Sequence, residues 1–182
     1  MKVYLIGAGP GDAGLLTLKG RDALASAGTV IYDALANEAL LAHAHPDAER
    51  IYVGKVAGNH ALPQEEINAL LIRKAKEGGI VARLKGGDPY IFGRGGEEAE
   101  ALRAAGVPFE EIPGISSTVA APAYAGIPLT HRDYASSVTI ITGHESPDKP
   151  GSVHNWLALA SSASTLVFVM GMKNLPDIAR NL

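Results

Sequence analysis

The sequence predicts an α/β protein built on a parallel, doubly wound sheet. Three observations predict it. Short apolar runs alternate with longer stretches of helical spacing along the chain. Each apolar run is stopped by a cluster of Gly, Pro or Asp. The least ordinary residues stand at those stops, where ligands of open α/β sheets bind, beyond the carboxyl ends of the strands.

Val3-Tyr4-Leu5-Ile6 is the first buried strand, and Gly7-Ala8-Gly9-Pro10-Gly11-Asp12 is a tight loop after it. Leu15 to Ala27 has helical spacing, with Leu15, Leu18, Ala23 and Leu24 as core positions. Thr29-Val30-Ile31-Tyr32 is the next strand, with Asp33 at its carboxyl end, and Ala39 to Ala44 reads as a helix. Arg50-Ile51-Tyr52-Val53 is a third strand, ending at Gly54-Lys55. Pro63 opens a helix that runs to Glu77, with Glu65 and Glu66 complementing its positive end. Ile80 to Leu84 is a fourth strand, Glu97 to Ala105 a helix, and Phe109 to Ile112 a short strand before Pro113-Gly114.

A small-residue helix over Ser116 to Ala125 crosses to a second unit. There, Ser137 to Thr142 and Thr165 to Val169 read as strands, and Trp156 to Ala160 and Pro176 to Leu182 as helices. Two strands and two helices are a thin basis for an independent core. Leu175, Ile178, Ala179 and Leu182 share one helical face with nothing in the sequence to cover it. The expectation is therefore an incomplete second domain: a fragment, the ordered part of a longer protein, or a unit completed by a partner.

Composition narrows the chemistry. The chain has 182 residues, 47% hydrophobic and 19% charged, which is enough for a packed core. It has no cysteine, so disulfides, zinc thiolates and thiol nucleophiles are excluded. A net charge of −3 argues against nucleic acid as the partner. No apolar run approaches a membrane span and no signal-peptide pattern opens the chain, so a cytoplasmic protein is expected.

The first glycine loop invites comparison with a dinucleotide fingerprint, with Asp33 as the distal acid. The fit is poor. Pro10 lacks an amide donor, and Asp12 stands where the third glycine belongs and would repel a pyrophosphate. A nicotinamide or flavin enzyme and a simple tight turn both stay open on this loop alone. The stretch from Leu84 to Glu98 is more specific. Gly86, Gly87, Gly93, Gly95 and Gly96 allow sharp bends and close approach to a ligand, and Tyr90-Ile91-Phe92 is unusually apolar for a solvated loop.

The ordered set of motifs resembles the tetrapyrrole methylase family, and within it the uroporphyrinogen-III C-methyltransferase branch. The carriers are Val3 to Asp12, Tyr32-Asp33, Tyr52-Val53-Gly54-Lys55, Leu84 to Glu98, Pro113-Gly114-Ile115-Ser116-Ser117, Ala121 to Arg132, and Met170-Gly171-Met172. The resemblance implies two α/β domains, residues 1–113 and 114–182, with a cofactor cleft between them. It implies S-adenosyl-L-methionine as methyl donor, held by Pro10, Gly86, Gly87, Asp88, Ile91, Ser116, Ser117 and Met170. The family often has Thr where this chain has Ser116. No metal is implied.

The resemblance further implies a homodimer that methylates uroporphyrinogen III twice to give precorrin-2, for sirohaem or cobalamin, with acid–base roles for Asp33 and Lys55. A carboxylate at a strand end suits proton removal after carbon methylation, yet a capping Asp33 paired with Lys55 fits the residues equally well. The substrate is rich in carboxylates, so Arg94, His131, Arg132 and Lys55 are candidate anchors. His43, His45, His60 and His154 take no role in this reading, and His144 reads as a surface residue at a strand end. Related substrates stay open, namely a corrin precursor, a protein or an RNA. So does a non-catalytic S-adenosylmethionine-binding module.

Overall fold

The computed structural model describes residues 1–54, 62–144, 154–162 and 165–182. The chain forms two compact units, Met1–Ser116 and Ser117–Leu182.

The first unit is a five-stranded sheet of β1 (Lys2–Gly7), β2 (Thr29–Tyr32), β3 (Glu49–Tyr52), β4 (Ile80–Lys85) and β5 (Phe109–Ile112). All neighbours are parallel, in the order β3-β2-β4-β1-β5. The central strands are apolar on both faces, as a sheet covered on both sides requires. Ile6, Ala8, Val30, Ala82 and Leu84 pack on one side with Ala23 and Leu24 of helix α1 (Leu18–Ser26) and with Leu40 and Leu41. Val3, Leu5, Ile31 and Val81 pack on the other with Ile67, Leu70 and Leu71 of α2 (Gln64–Lys76) and Ala99 and Leu102 of α3 (Gly95–Ala104).

The helical stretch expected from Leu15 to Ala27 is divided. Asp12 accepts from the Gly14 amide at 2.7 Å and caps a 3-10 turn over Ala13–Leu15. Thr17 then accepts from the Gly20 amide at 3.1 Å and starts α1 afresh. The second cap changes the phase, so Leu18, expected in the core, is 71% exposed. The helix expected at Ala39 to Ala44 is a 3-10 helix, Glu38–His43, capped by Asn37.

The second unit contains α4 (Ser117–Tyr124), β6 (Val138–Thr142), α5 (Trp156–Ser162), β7 (Thr165–Val169) and α6 (Leu175–Asn181). β6 and β7 pair in parallel. On α6 only Ile178 is buried, while Leu175, Ala179 and Leu182 are exposed.

Candidate active site

The strand order creates a crevice in the first unit. β1 and β4 are neighbours, but their continuations leave in opposite directions. From β1 the chain crosses by α1 to β2; from β4 it crosses by α3, on the other face, to β5. The loops therefore part at the carboxyl ends of adjacent strands, which is where such sheets bind ligands.

The two loops are tied together at their roots. Ala8 donates to the Lys85 carbonyl at 2.7 Å. Gly9 and Gly87 exchange backbone hydrogen bonds of 3.1 and 2.7 Å. Gly114, after β5, lies against both: a Cβ there would meet the Gly87 carbonyl oxygen and stand 2.6 Å from the Gly7 Cα. Gly87 itself has φ +66, and its Cβ position faces open space apart from the Ser116 Cα at 3.9 Å. These loops are rigid where they meet and accessible at Gly87.

The Asp88 carboxylate holds this arrangement. One oxygen accepts from the Tyr90 amide at 2.8 Å and the other from the Gly114 amide at 3.1 Å. Asp88 thus acts here through the backbone it orders. Beyond it, Tyr90, Ile91 and Phe92 are all exposed, an apolar knuckle at the rim of the loop. Burial, then Glu111 and Asp88, pushes the Tyr90 phenol up.

Arg94 is the N-cap of α3, in the left-handed region at φ 58. Its guanidinium grips the Glu97 carboxylate through two hydrogen bonds of 2.8 and 2.7 Å, in an exposed position. That fork holds the Arg94 pKa above and the Glu97 pKa below the ordinary values. A carboxylated ligand reaching Arg94 must compete with Glu97.

Asp33 directly follows β2, at the head of a line of charges running into the protein. One of its oxygens accepts from the Leu35 amide at 3.1 Å, and the other from Arg83 at 2.8 Å. Arg83 is buried and also donates to Glu98 at 3.1 Å and to the Leu84 carbonyl at 3.1 Å. The same Glu98 oxygen accepts from Lys85 at 2.9 Å and from Gln64 at 3.3 Å, while its second oxygen has no hydrogen-bond partner among the described residues. Burial, then Arg83, pushes the Lys85 ammonium down; Glu98 and Asp33 act against them. Two carboxylates, Glu98 buried and Asp33 partly exposed, face two buried cations, so the formal charges balance. Removing one partner of such a pair costs on the order of 3–5 kcal/mol.

The family model for Tetrapyrrole (Corrin/Porphyrin) Methylases matches residues 2–182. The chain belongs to this family. It is 55% identical over 181 residues to an S-adenosyl-L-methionine-dependent uroporphyrinogen III methyltransferase of Methanosarcina barkeri, covering 100% of this chain and 71% of the relative. It is 52% identical over 181 residues to a uroporphyrinogen-III C-methyltransferase of Priestia megaterium, covering 100% and 76%. Among solved structures, it is similar to a uroporphyrin-III C-methyltransferase of Thermus thermophilus complexed with S-adenosylhomocysteine. That match has 43% identity and a TM-score of 0.80, covering 100% of this chain and 75% of that one.

Membership in the tetrapyrrole methylases agrees with what the first loop cannot do. The amides of Ala8 and Gly9 are already spent on Lys85 and Gly87, and the first α-helix begins only at Leu18. The loop leads into a single 3-10 turn whose Gly14 amide faces the Asp12 carboxylate, which would repel a pyrophosphate, so the geometry does not favour the nicotinamide or flavin reading. Among the described residues no group of His, Asp and Glu is arranged to hold a metal, and no helix is long and apolar enough to cross a membrane.

The expected site residues that the structure describes fall into three groups. Pro10, Asp33, Gly86, Gly87, Asp88, Ile91, Arg94 and Ser116 all lie in the first unit, in the loops after its strands or, for Arg94, at the start of α3. Ser117 and Met170 lie in the second unit, where both line a pocket of about 560 Å³ with Ala121, Pro122, Ile127 and Phe168. Met170 is 58% exposed and adopts φ 56. His131 and Arg132 are exposed in a turn, where His131 Nδ1 accepts from the Asp133 amide at 3.1 Å and its ring packs on Tyr134. Lys55 lies outside the described residues.

Sequence reasoning passed over Arg83, Lys85 and Glu98. The signal was present. Arg83 and Lys85 alternate with Ala82 and Leu84 in a strand whose neighbours cover it on both sides, and charges in such a strand require buried partners.

Proposed function

We propose that this chain converts uroporphyrinogen III to precorrin-2 by two successive methylations from S-adenosylmethionine. The observation that carries this reading is its 55% identity, over 181 residues, to a relative named for that activity. S-adenosylmethionine is consumed as a co-substrate. The reading places it against Pro10, Gly86, Gly87, Asp88, Ile91 and Ser116. Open space at Gly87 and exposure of Ile91 support this, since a ligand can reach backbone and apolar surface together.

A pyrrole carbon attacks the sulfonium methyl in line. The new carbon–carbon bond forms as the sulfur–carbon bond breaks, and S-adenosylhomocysteine leaves. The methylated ring carries a positive charge until a proton departs. Asp33 takes that proton: its carboxylate stands at a strand end, partly exposed and oriented by two hydrogen bonds. Lys55 serves as its acid–base companion on the strength of the family resemblance. Arg94, His131 and Arg132 anchor substrate carboxylates, and the exposure of all three supports that use. Most of the rate enhancement comes from holding carbon, methyl and sulfur in line. The family resemblance also supports a homodimer working in the cytoplasm.

The test is incubation of the purified chain with uroporphyrinogen III and S-adenosylmethionine under anaerobic conditions, followed by mass spectrometry. A tetrapyrrole carrying two added methyl groups, with two equivalents of S-adenosylhomocysteine, is expected. Turnover of a corrin precursor in preference to uroporphyrinogen III would reassign the substrate.

A further inference from the structure

We infer that Arg83 is a positioning residue for Asp33, itself locked by the buried Glu98, so that the carboxylate reading proposed above depends on a charge relay fixed inside the sheet. The inference rests on that reading of Asp33 and deepens it.

The geometry begins with strand alternation. Val81, Arg83 and Lys85 project from one face of β4, toward α2 and α3, while Ala82 and Leu84 project from the other. Glu98 enters the same layer from the first turns of α3, at 0% exposure. Arg83 is paired in register with Ile31, and Asp33 comes two residues later, just past the end of that neighbouring strand. A long side chain on β4 can therefore reach both Glu98 and Asp33. Arg83 does so with every nitrogen engaged: Nε on Glu98, one terminal nitrogen on the Leu84 carbonyl, the other on Asp33.

This arrangement has a closed end and an open end. Glu98, Lys85 and Arg83 are buried, but the Asp33 side chain retains 24% exposure. Structural neutralisation alone would be served by a carboxylate buried like Glu98. A carboxylate at the mouth, held by a planar guanidinium whose nitrogens are all hydrogen-bonded, is suited to meet a proton from a bound ligand. Lys at position 83 would keep a positive charge near Glu98, but a single ammonium cannot span both carboxylates.

The experiment compares Arg83→Lys, Asp33→Asn and the double variant in the full chain. Melting temperature, S-adenosylhomocysteine affinity, KM and kcat are measured for each. Arg83→Lys should fold, bind S-adenosylhomocysteine normally and keep its KM, while kcat falls roughly 10- to 100-fold, the scale of a misplaced reacting group. Asp33→Asn should lose on the order of 10²- to 10⁴-fold in kcat. The double variant should be no worse than Asp33→Asn, because both changes disable one unit.

A normal kcat in Arg83→Lys beside a large loss in Asp33→Asn would overturn the positioning role alone. Full activity in Asp33→Asn would overturn the underlying reading of Asp33. Should Arg83→Lys fail to fold, Arg83→Gln combined with Glu98→Gln removes one charge of each sign and is read by the same criteria. Failure of both to fold would assign Arg83 to maintaining the fold and overturn the inference.

Discussion

Gly114→Ala probes the close approach of the β1, β4 and β5 ends with a single added methyl. The new Cβ would stand 2.6 Å from the Gly7 Cα and 2.8 Å from its carbonyl carbon, and would overlap the Gly87 carbonyl oxygen. Carbon atoms in comfortable contact are separated by about 3.5–4.0 Å, so something must move by roughly 1 Å. Gly7 ends the interior strand β1 and is held in the sheet beside Lys85. The loop after β4 must therefore yield, straining the Gly9–Gly87 exchange and the 3.1 Å bond from Gly114 to Asp88. Overpacking of this kind costs about 1–3 kcal/mol. Displacing Gly87 should also weaken S-adenosylhomocysteine about tenfold, equivalent to about 1.4 kcal/mol. Urea unfolding and calorimetric titration measure the two effects separately. A wild-type unfolding midpoint together with wild-type affinity would refute the argument that this contact shapes the binding loop.

Of three further perturbations, two separate ligand contact from scaffolding and the third tests a surface ion pair. Gly87→Val introduces strain at φ +66 but little steric clash within the first unit, so S-adenosylhomocysteine binding should fall much further than thermal stability; equal losses would make Gly87 a structural residue. Arg94→Ala should weaken uroporphyrinogen III while leaving S-adenosylhomocysteine within about twofold. An exposed guanidinium already engaged by Glu97 warrants about 1 kcal/mol at low salt, below the 1.5–3 of an ordinary charged hydrogen bond, and equal losses in both ligands would refute the anchor role. Glu110, bound by Lys19 and Lys2, has its pKa lowered to about 2 from 4.5. Its contribution is complete above the unfolded value and fades as pH falls from about 4.5 through 2. Glu110→Gln should flatten acid unfolding in that window, less so at high salt; an unchanged acid limb at low salt would count against the pairing.

Much of the first unit was legible because periodicity and punctuation agreed. Thr29 to Tyr32 and Phe109 to Ile112 are strands with the boundaries their sequences predict. Between Asp12 and Ala27 the pattern misled, since apolar spacing ran through two separate caps and only hydrogen bonds to Gly14 and Gly20 revealed the break. The candidate loops were legible from glycine density. Their mutual contact was not, because Gly7, Gly87 and Gly114 are distant in sequence and glycine leaves no side-chain pattern to correlate. Arg94 illustrates the opposite limit. Its position between glycines drew attention to it, but the bidentate hold of Glu97 depends on a left-handed N-cap that no periodicity encodes.

β4 also explains how charge reaches the partly exposed Asp33 in so apolar a sheet. A strand covered on both faces favours Val, Ala and Leu, and Val81, Ala82 and Leu84 satisfy that demand. Arg83 and Lys85 violate it at the carboxyl-terminal end, where the helix layer supplies Glu98 and the next strand supplies Asp33. The same strand then continues into Gly86, which packs closely against Leu35 after β2, and Gly87, whose backbone pairs with Gly9 after β1. One short segment therefore joins two requirements of carbon methylation. Its charged residues fix a carboxylate, and Gly87 leaves open the backbone surface against which the methyl donor is proposed to lie. A shift of β4 by one residue would exchange its two faces, burying Leu84 where Arg83 now stands and turning Arg83 toward α1. Correct register in this central strand is accordingly a condition for the proposed chemistry as well as for the fold.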